Sequence, residues 1–126
     1  MRPILDIKTK RIYDAASAED GFRVLVDRLW PRGITKEILG ADAWMKEVAP
    51  STDLRKWFQH EAPKWSEFKR RYFQELDQKP EVLDPLKREA RKGTVTLLFS
   101  ARDTKHNHAV ALMELLTGQA TSGRTT

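Results

Sequence analysis

Two charged residues that could do chemistry, Asp27 and Arg28, directly follow an apolar run at residues 24–26, and Trp30 and Arg32 stand in the turn that comes next. A carboxylate can accept or donate a proton, and a guanidinium binds phosphate or carboxylate oxygens through two parallel hydrogen bonds. Small α/β proteins commonly place ligand sites where a buried strand ends in such a loop. We therefore expect a functional site here, with Asp27 as a catalytic acid or base and with Arg28 and Arg32 as anion-binding residues.

A structural role is the alternative for each of these side chains. Asp27 and Arg28 can form an ion pair that fixes the end of the strand, and Trp30 can pack at the rim of the core instead of stacking on a ligand. Arg32 is harder to explain in this way, because a turn needs no guanidinium. The sequence alone leaves both interpretations open.

Two further segments, residues 46–55 and 100–108, also end a predicted strand with polar residues and then begin a helix or turn. If the strands are parallel, these loops and residues 27–33 lie at one edge of the sheet, near helix N-termini that follow Ser51 and Asp103. Ser51 is first of all a helix cap. The candidate anion-binding residues at this edge are Arg28, Arg32, Lys46, Ser51, Arg55 and Arg102.

The histidines supply further candidates for acid–base chemistry. His60 and His106 join Asp27 as predicted catalytic groups. His106 and His108 are two positions apart, so on a helix their rings point about 200° away from each other and cannot easily share one metal ion. We predict no metal site.

Composition limits the classes of protein to which the chain can belong. With 126 residues, of which 40% are hydrophobic, it is large enough for one domain with a substantial core. The absence of cysteine excludes disulfides, thiolate catalysis and Cys-ligated metal centres. No apolar run approaches the roughly 20 residues of a membrane span, and no signal region opens the chain, so we expect a cytoplasmic protein with no membrane partner. The net charge of +5 favours anionic partners, although many cytosolic domains are mildly basic without a specific purpose.

Alternating strand and helix patterns predict a small three-layer α/β domain, with a mostly parallel sheet and helices on both faces. We expect one domain over residues 1–118, a disordered tail at residues 119–126, and parallel pairing of the strands around residues 24–26 and 94–99. The predicted strands are residues 4–8, 22–28, 43–48 and 94–99. Residues 11–14 either continue the first strand or form a second short one, and a helix is the alternative for residues 43–48. The predicted helices begin near Ser51, Pro63, Asp84 and Asp103 or Thr104. The clearest helix buries the stripe Trp65, Phe68, Tyr72 and Leu76.

Several strings resemble the bacterial domain-of-unknown-function family 488, in its YeaO-like branch. They read DGFRVLVDRLWPRG at residues 20–33, WMKEVAPS at 44–51, LRKWFQH at 54–60 and HNHA at 106–109, within a resemblance that runs from about Ile4 to Leu116. The resemblance implies a small cytosolic α/β domain with no settled biochemical activity. A related branch has a cysteine at the end of the last strand and Cys-His-Arg at the following helix. This chain has Ser100 and His106-Asn107-His108 in those regions, so cysteine chemistry is not carried over.

Two classes of function follow from these observations. In the first, an arginine-lined pocket at the strand ends binds a small phosphorylated or carboxylated ligand, and enzyme activity remains an open question. In the second, the same basic edge binds nucleic acid or a protein partner without catalysis. A concave pocket favours the first class, whereas a broad, flat basic face with exposed aromatic residues favours the second. Cofactor, ligand identity and oligomeric state stay open.

Overall fold

The computed structural model describes residues 5–59 and 61–118 of the chain. Within them, neighbouring strands pair in parallel in the order β1-β4-β2-β3, so β2 and β4 are central. This confirms the predicted mostly parallel sheet. The strands are β1 (Ile7–Arg11), β2 (Phe22–Leu25), β3 (Ala43–Trp44) and β4 (Val95–Phe99).

Five α-helices accompany the sheet in the described part of the chain. They are α1 (Lys36–Leu39), α2 (Thr52–Phe58), α3 (Trp65–Asp77), α4 (Asp84–Lys92) and α5 (His108–Thr117). Side chains of α2 to α5 form the larger core on one face of the sheet. Leu39 of α1 belongs to a smaller core on the other face. The predicted α/β architecture, with helices on both faces, is therefore confirmed.

The central strand is buried as its sequence predicts. Val24, Leu25 and Val26 are fully buried, and β2 pairs in parallel with β4, with Val24 opposite Leu97. Val24 and Val26 face the larger core, whereas Leu25 faces the smaller one. A strand covered on both faces needs apolar residues at successive positions, which explains the uninterrupted run.

The third strand is shorter than predicted. The pairing of β3 ends at Trp44, apart from one further bond from the Met45 N–H to the Leu25 carbonyl, and a 3-10 turn (Lys46–Val48) follows. Val48 is buried, and its carbonyl accepts the hydroxyl hydrogen of Tyr72. The predicted strand over residues 43–48 is confirmed at Ala43–Trp44 and is wrong over Lys46–Val48, because that part turns away from the sheet to pack against α3.

The last helix begins later than predicted. Asn107 is its N-cap and accepts the N–H of Val110. Asp103 instead accepts the N–H groups of Lys105 and His106 in the preceding turn. The predicted start at Asp103 or Thr104 is wrong because Asp103 closes the preceding turn.

The first strand also lies further along the chain than predicted, at Ile7–Arg11 instead of residues 4–8. Its last residue pairs with Phe99, the end of β4. In α3, Phe68, Tyr72 and Leu76 are buried as predicted, and Trp65 is half-buried at the edge of the core. The described residues include no helix with both the length and the apolar character needed to cross a membrane. The predicted tail, residues 119–126, lies outside the described residues.

Candidate functional site

A cleft of about 360 Å³ lies at the carboxyl ends of β2 and β4. The parallel sheet creates it, because the segments that follow these two strands leave the sheet at the same edge. The polar residues that line the cleft are Asp27, Arg28, Arg55, Lys56, Ser100 and His108. The apolar residues are Leu29, Trp30, Pro31, Ala49, Pro50, Phe58, Phe68 and Ala101.

Asp27 joins the ends of the two central strands. Its Oδ2 accepts hydrogen bonds from the backbone N–H of Ser100 at 3.1 Å and from the Ser100 hydroxyl at 2.7 Å. Burial raises the pKa of Asp27, but the adjacent His108 ring and the hydrogen bonds from Ser100 outweigh burial and lower it below its ordinary value. The carboxylate is therefore ionised at neutral pH and is a weak base.

His108 completes this cluster. Its Nε2 lies 3.0 Å from Oδ1 of Asp27 and 3.1 Å from the carbonyl oxygen of Val26. Within the described chain Oδ1 makes no hydrogen bond of standard geometry, despite this short distance. Both neighbours of Nε2 are acceptors, so Nε2 carries the proton. The ring is thereby oriented as a donor toward the strand end.

Asp27, Ser100 and His108 do not form the arrangement of a nucleophile and its base. The Ser100 hydroxyl donates to Asp27, and the Nε2 proton of His108 points to Asp27 and Val26. Nucleophilic serine chemistry needs a base that accepts the hydroxyl proton and a third group that orients the base. This cluster ties β2 to β4 and supports the base of the cleft.

Arg28 holds the neighbouring segment of the cleft wall. Its Nε donates to the carbonyl of Pro50 at 3.2 Å, and its Nη2 donates to that of Ala49 at 3.1 Å. Among the described residues Arg28 forms no ion pair with Asp27, so the ion pair considered from the sequence is wrong. No described residue accepts a hydrogen bond from Nη1 of Arg28, which leaves this nitrogen available to a ligand.

Arg55 and Lys56 bring two more positive charges to the cleft from α2. Both side chains are exposed. No carboxylate in residues 5–59 and 61–118 lies within ion-pair distance of either. Lys56 was not predicted, although it directly follows a predicted anion-binding residue. The predicted arginine-lined cleft thus contains Arg28 and Arg55.

The other predicted anion-binding residues lie elsewhere. Ser51 caps α2 by accepting the N–H of Leu54, and its hydroxyl donates to Glu75 at 2.6 Å. Three others, Arg32, Lys46 and Arg102, are exposed and do not line the cleft. Nζ of Lys46 lies 5.3 Å from the ring centroid of Trp44.

One of the other two predicted catalytic residues, His106, is not part of the cluster. Nδ1 of His106 lies 3.0 Å from Oδ2 of Asp103, and its ring meets Trp65 edge-on at 5.4 Å, outside the cleft lining. His60 lies outside the described residues. Within those residues no group of three or more potential ligands is placed to hold a metal ion. The structure instead brings Ser100 and His108 to Asp27, two residues of the 100–108 segment that sequence reasoning did not select.

The comparisons with known proteins decide the family. Residues 6–125 match the model described as the inactive DUF488-N3 subclade. The chain belongs to the DUF488 family. The resemblance seen in the sequence motifs is thereby confirmed, including its YeaO-like branch. No solved structure shows significant similarity to this DUF488 chain.

Bacterial relatives match nearly the whole chain. It is 46% identical to the uncharacterised protein YeaO of Escherichia coli over 112 residues, which are 89% of this chain and 97% of YeaO. It is 37% identical to uncharacterised proteins of Mycobacterium bovis and Mycobacterium tuberculosis over 113 residues, which are 90% of this chain and 95% of each relative.

Proposed function

We propose that the cleft at the ends of β2 and β4 binds a small phosphorylated or carboxylated ligand and does not transform it. The observation that carries the proposal is the pair of exposed cations, Arg55 and Lys56, which line a concave site without a carboxylate partner among the described residues. Arg28 adds a third cation with one nitrogen available. Charge-assisted hydrogen bonds to phosphate or carboxylate are the strongest contacts that such side chains make.

The charge balance of the cleft supports an anion over a cation. Among the described residues Asp27 is the only acidic one in the lining, and it accepts hydrogen bonds from Ser100 and faces the Nε2 proton of His108. Its negative charge is stabilised by these donors, and the three cations of the lining outnumber it. A ligand that enters the cleft meets an excess of positive charge, which favours an anion.

The shape of the cleft supports a small molecule over a nucleic acid strand. Its volume of about 360 Å³ falls at the lower end of the range of roughly 300–1,000 Å³ that is usual for small-molecule sites. Nucleic-acid surfaces are commonly extended basic stripes with aromatic platforms. A concave site with three cations suits one small anion better.

Binding without catalysis is favoured by two independent observations. The Ser100 hydroxyl donates to Asp27, and Nε2 of His108 faces the carbonyl of Val26, so neither group is arranged as a nucleophile or its base. The family description of the matched subclade contains the word inactive. We also propose a cytoplasmic location, with which a chain that needs no disulfide is compatible.

The test is a calorimetric titration of the full chain with inorganic phosphate. We expect saturable binding, and we expect Arg55→Ala to weaken it roughly tenfold or more, because a charge-assisted contact contributes about 1.5–3 kcal/mol. Arg88→Ala is the matched control, since Arg88 is also an exposed helical arginine but does not line the cleft. Equal affinities for the wild type and Arg55→Ala, or no saturable binding, would overturn the proposal.

Two further assays test the alternatives. Binding of oligonucleotides that strengthens with their length and collapses between low and high salt would favour a nucleic-acid module. Hydrolysis of p-nitrophenyl phosphate that is lost in Asp27→Asn would show an enzyme. We expect neither.

A further inference from the structure

Beside its cations the cleft has an apolar wall, and one residue of that wall, Leu29, belongs to neither hydrophobic core. Leu29 lines the cleft and is 66% exposed. A leucine in that position contributes little to the core, and it stands beside Trp30 and Pro31 in the same lining. An apolar surface next to charged groups in a cleft is typical of a site that binds a ligand with one apolar and one charged part.

Trp30 is held in place before any ligand arrives. Its Nε1–H donates to the carbonyl of Ile34 at 2.6 Å, and its ring meets Trp44 edge-on with a centroid distance of 5.4 Å. The Nε1–H of Trp44 in turn donates to the carbonyl of Asp27 at 2.8 Å. Both indole N–H groups are therefore used within the protein, so Trp30 offers the cleft only carbon surface. A wall fixed in this way loses little conformational freedom on binding.

The remaining polar groups of the cleft offer few hydrogen bonds to an uncharged ligand group. The Ser100 hydroxyl hydrogen and the Asp27 Oδ2 are bonded to each other, and Nε2 of His108 is directed to Asp27 and Val26. A ligand rich in hydroxyl groups would leave many of them unpaired on entry, which is costly. An apolar group has no hydrogen bonds to lose there.

We infer that the ligand is an amphiphilic anion, a phosphate or carboxylate joined to an apolar group that lies on Leu29 and Trp30. The inference rests on the proposed anion site and adds the chemical class of the rest of the molecule. Arg28, Arg55 and Lys56 hold the anionic end. The apolar group covers Leu29, which the fold leaves exposed.

A panel of small anions tests the inference by calorimetry or fluorescence of the full chain. The probes are inorganic phosphate, glycerol phosphate, phenyl phosphate, phenylacetate and the neutral benzyl alcohol. We expect phenyl phosphate to bind at least about tenfold more tightly than inorganic phosphate or glycerol phosphate. Comparison of phenyl phosphate with phenylacetate shows which anionic group the cleft prefers. Benzyl alcohol should bind much more weakly than either.

Two exposed residues provide matched variants. Leu29→Ser should weaken the binding of phenyl phosphate severalfold and leave the affinity for inorganic phosphate unchanged. Ile38→Ser is the control, because Ile38 is 72% exposed but does not line the cleft, and it should change neither affinity.

The outcomes separate this inference from the proposed function. If inorganic phosphate binds as tightly as phenyl phosphate, or if Leu29→Ser leaves phenyl phosphate binding unchanged, the amphiphilic ligand is wrong and the anion site stands. If benzyl alcohol binds as tightly as phenyl phosphate, or if no anion binds, the anion site itself is wrong.

Discussion

Similar charged residues lie at the two ends of β2, but those at its start are paired with each other, whereas cations at its far end have no described carboxylate partner. At its start, the buried Asp20 accepts hydrogen bonds from Lys10, the Ser17 N–H and Arg23. Arg23 also donates through Nε to the Gly40 carbonyl and through Nη2 to the Leu39 carbonyl. The buried Asp20 and Arg23 are thus paired with each other, and Lys10 is paired with Asp20.

At the other end of β2 the cations remain available. Arg28 bonds two backbone carbonyls and keeps one nitrogen without a described partner, and the exposed Arg55 and Lys56 form no ion pair with the described residues. The pairing of the charged groups distinguishes residues that stabilise the fold from residues that are free to bind a ligand. A buried charge must be paired for the chain to fold, whereas exposed, unpaired cations around a cleft are not required by folding.

The largest expected effect is at the start of β2. Asp20 is only 1% exposed, so Asp20→Ala leaves Arg23 buried without its carboxylate and should lower the free energy of unfolding by about 3–5 kcal/mol. Urea denaturation measures this, with Asp77→Ala at an exposed position as the control. A loss below about 1 kcal/mol, usual for surface changes, would contradict the structural role of the pair.

Acid should weaken the start of β2 in a predictable pH range. Burial raises the pKa of Asp20, but hydrogen bonds from Lys10, the Ser17 backbone and Arg23 more than offset this and lower it to about 2. A carboxyl whose pKa is lowered on folding stabilises the protein above its ordinary pKa of about 4, and that stability disappears as the pH falls toward 2.

Denaturation of the wild type and Asp20→Asn between pH 7 and pH 2 measures this contribution. The wild type should lose more stability than the variant between pH 4 and pH 2. The variant keeps some dependence, because the pKa of Asp27 is also lowered. Identical pH profiles for the two proteins would show that Asp20 is not the titrating group.

Asp27 should have an intermediate effect, because it belongs to the scaffold of the cleft. Asp27→Ala removes the acceptor of the Ser100 N–H and hydroxyl and should cost about 1–3 kcal/mol of stability. Thermal unfolding of Asp27→Ala beside Ser100→Ala checks this, and the single losses should not fully add in the double variant, since both remove the hydrogen bond between the Ser100 hydroxyl and Asp27. Additive losses would mean that the two residues act independently.

The smallest effect on stability is expected at the mouth of the cleft. Arg55→Ala and Lys56→Ala should change the free energy of unfolding by no more than about 0.5 kcal/mol, since both side chains are exposed and unpaired among the described residues. Loss of more than about 1 kcal/mol would place these residues in the scaffold and remove the distinction between the two ends of β2.

The sheet could be predicted from the sequence because burial leaves a strong local pattern. The apolar runs at residues 24–26 and 94–99 indicate covered strands, and parallel pairing then fixes the edge at which the loops gather. That edge is where the cleft lies. The prediction followed from two strands and one rule of topology.

Which residues line the cleft was harder to predict, because the position of a residue in a loop does not determine where its side chain points. Arg55 lines the cleft and Arg32 does not, although both follow predicted strand ends. His108 reaches Asp27 because α5 begins only after the Asn107 cap, and the same shift leaves His106 beside Trp65. Contacts between such distant positions depend on helix starts, which local patterns fix least well.

Anion binding in the cleft is tested most directly by a map of amide chemical shifts in the uniformly labelled protein as inorganic phosphate is added. We expect saturable shifts at Arg28, Arg55, Lys56 and Ser100, with the amides of Lys10 and Arg23 unmoved. The same map in Arg55→Ala should need roughly tenfold more phosphate to reach equal shifts. Shifts centred on Lys10 and Arg23, or shifts that grow without saturation over the whole surface, would show that phosphate does not bind in the cleft.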